Sequence, residues 1–395
     1  MRNTDLVQFL KLIYAERDIS RAALAEKTRL APSYITVTIR QLQEKGWLLE
    51  GERVRSRAGR RRRLLHFNPA LAHLLGIEIG RAYSRIVVTD FLGTVLSHKR
   101  ISSHVSKGRD HALGLIHPEV KACLQHDPRV QGIGIAHSGV IDTAAGSVLF
   151  WPEVQGWRDV PLKQIFEGEY GLLTVVEDSV RTWAKAEQQF GQGRGHSNFV
   201  CIDIGMGIGA AIFVDGHPYV GASGLAGELG HTTIDENGDL CSCGNRGCLE
   251  VIASGAAIIN RVRSALEKGV GSVLGEEDST SSPEDLSIES IVTAAKAHDR
   301  LCELVLREAG THLGTAMAGL VNLLNPETII LGGALPRAAT DLILEPLRGT
   351  LKARALQQSV SRVDVAISQL PDDATAAGAA LAVAERTLED LCRAW

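Results

Sequence analysis

Residues 224–250, GLAGELGHTTIDENGDLCSCGNRGCLE, carry the densest chemistry in the chain: Cys241, Cys243 and Cys248 close together, with His231 upstream of them. Three thiolates and one imidazole match a closed tetrahedral zinc site in the type and number of their donors. Gly244 and Gly247 allow the sharp turns needed to aim three neighbouring cysteines at one ion. The competing reading is a cluster of reduced cysteines with an unrelated histidine. If a metal takes one ring nitrogen of His231, the other becomes a fixed N–H donor. Glu228 and Glu250 bring carboxylates to the same stretch. An oriented donor beside carboxylates suits a polyol, whose hydroxyls both donate and accept.

Upstream, FVCIDIGMGIGAAIFV (199–214) has the pattern of two β-strands around a glycine turn, and LLGIEIGRAYSRIVVTD (74–90) repeats it around Gly80. Two such units far apart predict a duplicated α/β architecture with a cleft between two lobes. Gly205, Gly207 and Gly209 let backbone amides approach an anion, although glycines also make ordinary hairpins. GIGIAHSGVID (132–142) and WPEVQGWRDVPL (151–162) lie between them, followed by VVEDSVRTWAKAE (175–187), a strand ending in Glu177 and Asp178 before a helix. Carboxylates at the carboxyl end of a strand face the cleft in α/β folds. Asp178 therefore either receives hydroxyl hydrogen bonds, as ligand contact or general base, or caps the helix after it.

The first seventy residues have a different character. Leu6, Leu10 and Ile13 recur at helical spacing over 4–16. Ser20 is placed to cap a short second helix, Arg21 to Lys27, with Leu24 inward. After a turn at Thr28–Ala31, Pro32 begins a third helix running to about Lys45. Ile35, Ile39 and Leu42 form its buried stripe, which leaves Ser33, Tyr34, Thr36, Val37 and Arg40 on the opposite face. Such a face suits the DNA major groove. Two β-type runs, Trp47–Glu50 and Leu64–Phe67, then flank a stretch holding Arg53, Arg55, Arg57 and Arg60 to Arg63. This predicts a hairpin wing with a cationic tip, where Gly59 lets the chain lie close to a phosphate or slide into a minor groove beside the arginines, Arg57, Arg60 and Arg61 among them. The plainer reading is a solvated basic loop.

Charge supports the division. Residues 1–70 hold 15 Lys and Arg against 7 Asp and Glu, a net +8, whereas the whole chain carries −4. A basic head on an acidic body implies that one end meets a polyanion. No apolar run is long enough to span a bilayer. The charges at Asp5, Lys11, Glu16, Arg17 and Asp18 interrupt any secretory signal, so the expected compartment is the cytoplasm, with no membrane partner. Seven cysteines, three of them clustered, argue against a disulfide framework, and Cys123, Cys201, Cys302 and Cys392 have the spacing of isolated buried residues. Residues 269–285 are polar and Gly/Ser-rich, an expected surface loop; LSIESIVTAAKAHDR after them has a helical pattern, and 372–390 is an Ala-rich terminal helix packing back on the body.

With these residues in view, the chain resembles the ROK proteins (repressors, open reading frames and sugar kinases) over nearly its whole length. GELGH followed by C-x-C-G-x-x-G-C-L-E carries most of the resemblance, with NPETIILGG (325–333) and LAPSYITVTIRQLQEKG, which is similar to the recognition helix of the family's repressors. The resemblance implies an α/β, actin/hexokinase-like two-lobed ROK domain over 71–395, its lobes roughly 71–185 with the C-terminal helix and 186–370. An N-terminal winged helix-turn-helix occupies 1–70. It implies structural Zn2+ on His231, Cys241, Cys243 and Cys248, and a sugar contacted by Asp178, Glu228, His231 and Glu250.

Departures bear on activity. Kinase members carry Asp-x-Gly-Gly-Thr in the first strand pair, and here the segment is Glu78-Ile79-Gly80-Arg81-Ala82. Arg81 puts a bulky cation where the loop should cradle phosphate. The kinases' Asn-Asp pair is Glu177-Asp178, a second negative charge beside a vestigial base. The expectation is a sugar-responsive regulator without efficient phosphoryl transfer, binding double-stranded DNA at an inverted repeat as a homodimer or tetramer, its effector a monosaccharide or derivative. The alternatives are a bifunctional ATP-dependent sugar kinase with a DNA-binding head and a sugar-binding scaffold whose head contacts RNA or acidic proteins.

Overall fold

The computed structural model describes residues 3–55, 61–151, 154–275 and 286–393. They fall into two compact units, one of 1–189 with 371–395 and one of 190–370. The expected loop tip at 276–285 and Gly59 lie outside the described residues.

The head opens with α1 (Asn3–Glu16), then a two-residue strand β1 (Ile19–Ser20), α2 (Arg21–Thr28) and α3 (Pro32–Glu44). The Ser20 side chain accepts from the Ala23 amide at 3.2 Å, so the predicted cap is present. Arg29 takes left-handed φ at the end of α2, and Pro32 enters α3 at a first-turn position that needs no amide donor. Ile35, Thr38, Ile39 and Leu42 are buried on α3. β2 (Leu48–Arg55) and β3 (Arg61–Phe67) form the wing, with β1 completing a three-stranded antiparallel sheet. The strands run further than their apolar runs indicated, because Arg53↔Arg63 and Arg55↔Arg61 continue the ladder with polar side chains.

The head does not stand apart from the body. Phe9, Leu10, Ile13 and Phe67 share one core with Phe91 and with Ala380, Leu381, Val383, Ala384 and Leu388 of the C-terminal helix Ala374–Arg393. Tyr14, Phe67 and Phe91 have ring centroids 5.8 Å apart pairwise, and the Tyr14 hydroxyl donates to the Phe91 carbonyl at 3.2 Å.

The sheet beneath it joins β4 (His73–Ile79), β5 (Tyr83–Thr89), β6 (Val95–Ser102) and β7 (Val130–His137) to a later strand, Leu173–Asp178. A small sheet, β8 (Val140–Asp142), β9 (Ser147–Phe150) and β10 (Arg158–Val160), intervenes, so the later strand is β11. The order is β11-β7-β4-β5-β6, with β4, β7 and β11 parallel. Their carboxyl ends align Ile79, His137 and Asp178 in register, the edge where α/β sheets hold ligands. Helices α4 (Arg109–His126) and α5 (Leu162–Tyr170) contribute to the core over this sheet, and α6 (Ser179–Phe190) leaves β11 directly. The C-terminal helix packs so closely that a Cβ at Gly134 would meet the Ala379 carbonyl oxygen at 1.9 Å, which only glycine avoids.

The second unit repeats the plan. β12 (Phe199–Ile204), β13 (Ile208–Val214) and β14 (His217–Tyr219) form a meander, and β15 (Thr328–Gly332) and β16 (Asp364–Ile367) add in parallel beyond β12, giving β14-β13-β12-β15-β16. Each sheet is thus a three-strand meander whose first strand is extended by two parallel strands. Helices α7 (Leu249–Ala253), α8 (Gly255–Glu267), α9 (Ile288–Lys296), α10 (Arg300–Leu324), α11 (Ala334–Ala338), α12 (Thr340–Arg354) and α13 (Gln357–Val360) surround its core. Among the described residues, no helix is long and apolar enough to cross a membrane.

Candidate metal centre and effector site

His231 ends a single 3-10 turn, Leu229–His231, and the cysteines sit on a folded-back loop. That loop is closed by backbone bonds from Cys241 to Asn245 (2.7 Å), Gly244 to Cys241 (2.9 Å) and Gly247 to Asp239 (2.8 Å). Gly244 and Gly247 both have positive φ, as their turns require. A Cβ at Gly247 would lie 1.5 Å from the Asp235 carbonyl oxygen, so no other residue fits there.

The four side chains converge. His231 Nδ1 lies 3.6 Å from Cys241 Sγ, Cys243 Sγ lies 3.7 Å from Cys248 Sγ, and all four donor atoms fall within 4.8 Å of one another. Zinc–sulfur bonds of about 2.3 Å imply tetrahedral edges of about 3.8 Å, close to these separations. A disulfide would need roughly 2.05 Å. Burial pushes the Cys248 thiol up to about 12, with the neighbouring cysteines adding to it, whereas the Asn245 amide lowers that of Cys243. A cation is what makes three thiolates compatible in this space, so the residues fit the metal they were expected to hold.

His231 turns its other nitrogen, Nε2, towards Glu228, 3.9 Å from Oε2. Glu250, in the first turn of α7, accepts from the Ile208 amide at 2.9 Å. A Cβ at Gly207 would come within 2.7 Å of the same Glu250 oxygen. The glycine turn between β12 and β13 therefore does approach an anion, but that anion is the Glu250 carboxylate. Glu228, His231 and Glu250 fall in one unit with the metal ligands; Asp178 belongs to the other.

Asp178 resolves one of its alternatives. Its Oδ1 accepts from the amides of Val180 (3.0 Å) and Arg181 (2.9 Å), so it caps α6. The extra charge expected from Glu177 is neutralised: buried Arg181 donates to Glu177 through Nε at 2.8 Å and pairs with it at 2.7 Å. Glu78 likewise pairs with Arg85 at 3.0 Å, and the Arg81 guanidinium lies 5.8 Å from the centroid of the Trp151 ring. Sequence reasoning passed over Asp203, a partly buried carboxyl on β12 that burial raises to about 6 against the opposing pull of Arg337. Its only signal was an acid inside an apolar strand just before Gly-x-Gly.

On α3, Ser33, Thr36 and Arg40 are exposed and Tyr34 is partly so, with the Thr36 hydroxyl donating to the Pro32 carbonyl at 2.8 Å. Arg57 and Arg60 lie outside the described residues, and Arg61 opens β3.

A twice-repeated meander with parallel extension, bearing a Cys/His cluster on one copy, defines a protein of the sugar-kinase-like class with an added helix-turn-helix head. The ROK family model matches residues 74–386, and the chain belongs to this family. The xylose repressor of Caldicellulosiruptor bescii is 31% identical over 376 residues, which cover 93% of this chain and 92% of that protein. A crystal structure of a ROK family transcriptional regulator, a homolog of the E. coli Mlc protein, aligns with a TM-score of 0.81 at 31% identity, covering 98% of this chain and 96% of the other. A ROK family glucokinase from Streptomyces griseus, in complex with glucose and AMPPNP, gives 0.67 at 29% identity, covering 82% of this chain and 100% of the kinase.

Proposed function

We propose that the chain is a DNA-binding transcriptional repressor of carbohydrate-metabolism genes, released or retained on its operator by a monosaccharide or derivative. The observation that carries this reading is coverage: the repressor and regulator relatives span 93% and 98% of the chain, head included, whereas the kinase covers 82% of it. The head (1–70) would read DNA through Ser33, Tyr34, Thr36 and Arg40, with Arg57, Arg60 and Arg61 on phosphates. The body (71–395) would bind the sugar through Asp178, Glu228, His231 and Glu250. Zinc on His231, Cys241, Cys243 and Cys248 would shape the 228–250 loop and fix the His231 Nε2–H as a donor. A homodimer or tetramer would match two heads to an inverted repeat. A protein that reads chromosomal DNA works where the chromosome is, the ground for placing it in the cytoplasm.

Phosphoryl transfer is proposed to be lost. The acid of the first strand pair is engaged by Arg85, and Arg81 occupies the turn where a kinase needs room for phosphate and magnesium. Two measurements test the reading. The full chain should recover specific fragments from its own genomic DNA, and an ATP-coupled assay across pentoses, hexoses and N-acetylhexosamines should show negligible turnover. Robust phosphorylation would favour the bifunctional kinase, and recovery of RNA in place of DNA would favour the scaffold.

A further inference from the structure

α6 joins the effector carboxylate to the DNA-binding head. Its first turn is capped by Asp178 and clamped by the Glu177–Arg181 pair. Near the other end of this 12-residue helix, about 15 Å along the axis, the Gln189 side-chain amide lies directly against the Arg17 guanidinium just past α1. Arg17 also donates to the Leu92 carbonyl at 2.5 Å and lies over the Tyr14 ring at 5.4 Å, so one guanidinium ties the end of α6 to the aromatic joint of the head.

Between its ends α6 has little freedom. Thr182, Ala184, Ala186 and Glu187 are fully buried. Lys185, itself buried, pairs with Glu385 of the C-terminal helix at 2.6 Å. At Gly378 of that helix, a Cβ would come within 1.8 Å of the Thr182 carbonyl oxygen, so the two backbones are in direct contact. The C-terminal helix in turn holds α1 through Lys11 and Glu389 at 2.6 Å. With its two buried cations, Arg181 and Lys185, both paired, the helix is held tightly to its neighbours along its length, so a change at its first turn is felt by what packs against it.

We propose that α6 relays occupancy of Asp178 to the head. A sugar hydroxyl that draws the Asp178 carboxylate away from the Val180 and Arg181 amides uncaps α6. The loosened helix then changes its hold on Arg17 and, through the C-terminal helix, on Lys11. The inference rests on the reading of Asp178 as an effector contact.

The test uses hydrogen–deuterium exchange on the full chain and needs neither operator nor identified sugar. Asp178→Ala removes the cap, whereas Asp178→Asn retains a capping oxygen. Asp178→Ala should speed amide exchange in the first turn of α6 and also in residues 11–16 of α1, by about 2- to 30-fold, and Asp178→Asn should change neither. In an Arg17→Met background the α1 response to Asp178→Ala should shrink to the part carried through Lys11 and Glu389 while the α6 response persists, and Arg17→Lys should restore some of the loss. Faster exchange in α6 with α1 unmoved, or equal effects of Ala and Asn, would overturn the relay. Failure of the effector reading shows separately: no monosaccharide would then protect the end of β11 in the unmodified chain, whatever the variants do.

Discussion

His231 places Nδ1 3.6 Å from the Sγ of Cys241 while Nε2 stands 3.9 Å from the Glu228 carboxylate, so one imidazole faces the metal donors with one nitrogen and a candidate sugar contact with the other. Metal occupancy and effector recognition are therefore predicted to be lost together. Cys243 is the exposed member of the cluster, so Cys243→Ser removes a donor without opening a core cavity. The variant should lose one equivalent of zinc by elemental analysis and melt about 4–8 °C lower, corresponding to ~2 kcal/mol. It should also lose any sugar-induced thermal shift. Full sugar response in a zinc-free variant would refute the coupling.

Ile39 and Arg40 are neighbours on opposite faces of α3, one fully buried and one exposed. Ile39→Ala should cost about 2–5 kcal/mol in urea denaturation. Arg40→Ala should leave stability within about 0.5 kcal/mol and weaken DNA binding by roughly 1–3 kcal/mol. The reverse pattern would mean that α3 presents its other face.

Replacing Arg60 and Arg61 by alanine should reduce the slope of log affinity against log salt by about 0.9 for each phosphate that the wing no longer neutralises. An unchanged slope in a salt titration of binding would mean the wing does not touch DNA.

Phe91 belongs to the body by sequence but packs against Tyr14 and Phe67 of the head. Phe91→Ala should cost about 3–5 kcal/mol and expose the head to protease in step with the body's first unit. A head that keeps its own unaltered melting transition would contradict the shared core.

His137 is fully buried, with Nδ1 accepting from the Gly139 amide at 2.9 Å, and burial lowers its pKa to about 3. The unfolded chain takes up a proton near pH 6.5 that the folded chain refuses until about 3, so stability falls as pH drops through that window and is unaffected above it. The slope attributable to this group is about 1.4 kcal/mol per pH unit. Denaturation between pH 4 and 7 should show a shallower pH slope in His137→Gln than in the unmodified chain, whatever the absolute stabilities. Identical slopes would contradict a neutral buried His137.

The parts of the molecule written in local pattern were legible in the sequence. Ser20 before α2, Pro32 opening α3 and the Ile35–Ile39–Leu42 stripe each depend on neighbours a few residues away, and each is found as read. The Cys/His cluster was legible for the same reason, since turn glycines and ligands share one short stretch. Features set by distant partners were not. Nothing around Phe91 or Leu381 announces that the head shares its core with a helix far downstream. The role of Asp178 stood open because a carboxylate before a helix looks the same whether it caps or binds; its bonds to Val180 and Arg181 show the cap, and a sugar contact by the same carboxylate stays a proposal. Glu177 looked like an added charge because its partner, Arg181, had not yet been placed beside it.

The central claim is that a sugar held by the body alters the hold of the head on DNA. Its most direct test is fluorescence anisotropy of the zinc-loaded full chain on a DNA fragment it recovers from its own genome, titrated with and without pentoses, hexoses and N-acetylhexosamines at constant salt. The account predicts that one class of sugar shifts the DNA affinity by roughly 5- to 150-fold. Sugars that bind the protein yet leave its DNA affinity unchanged would contradict it.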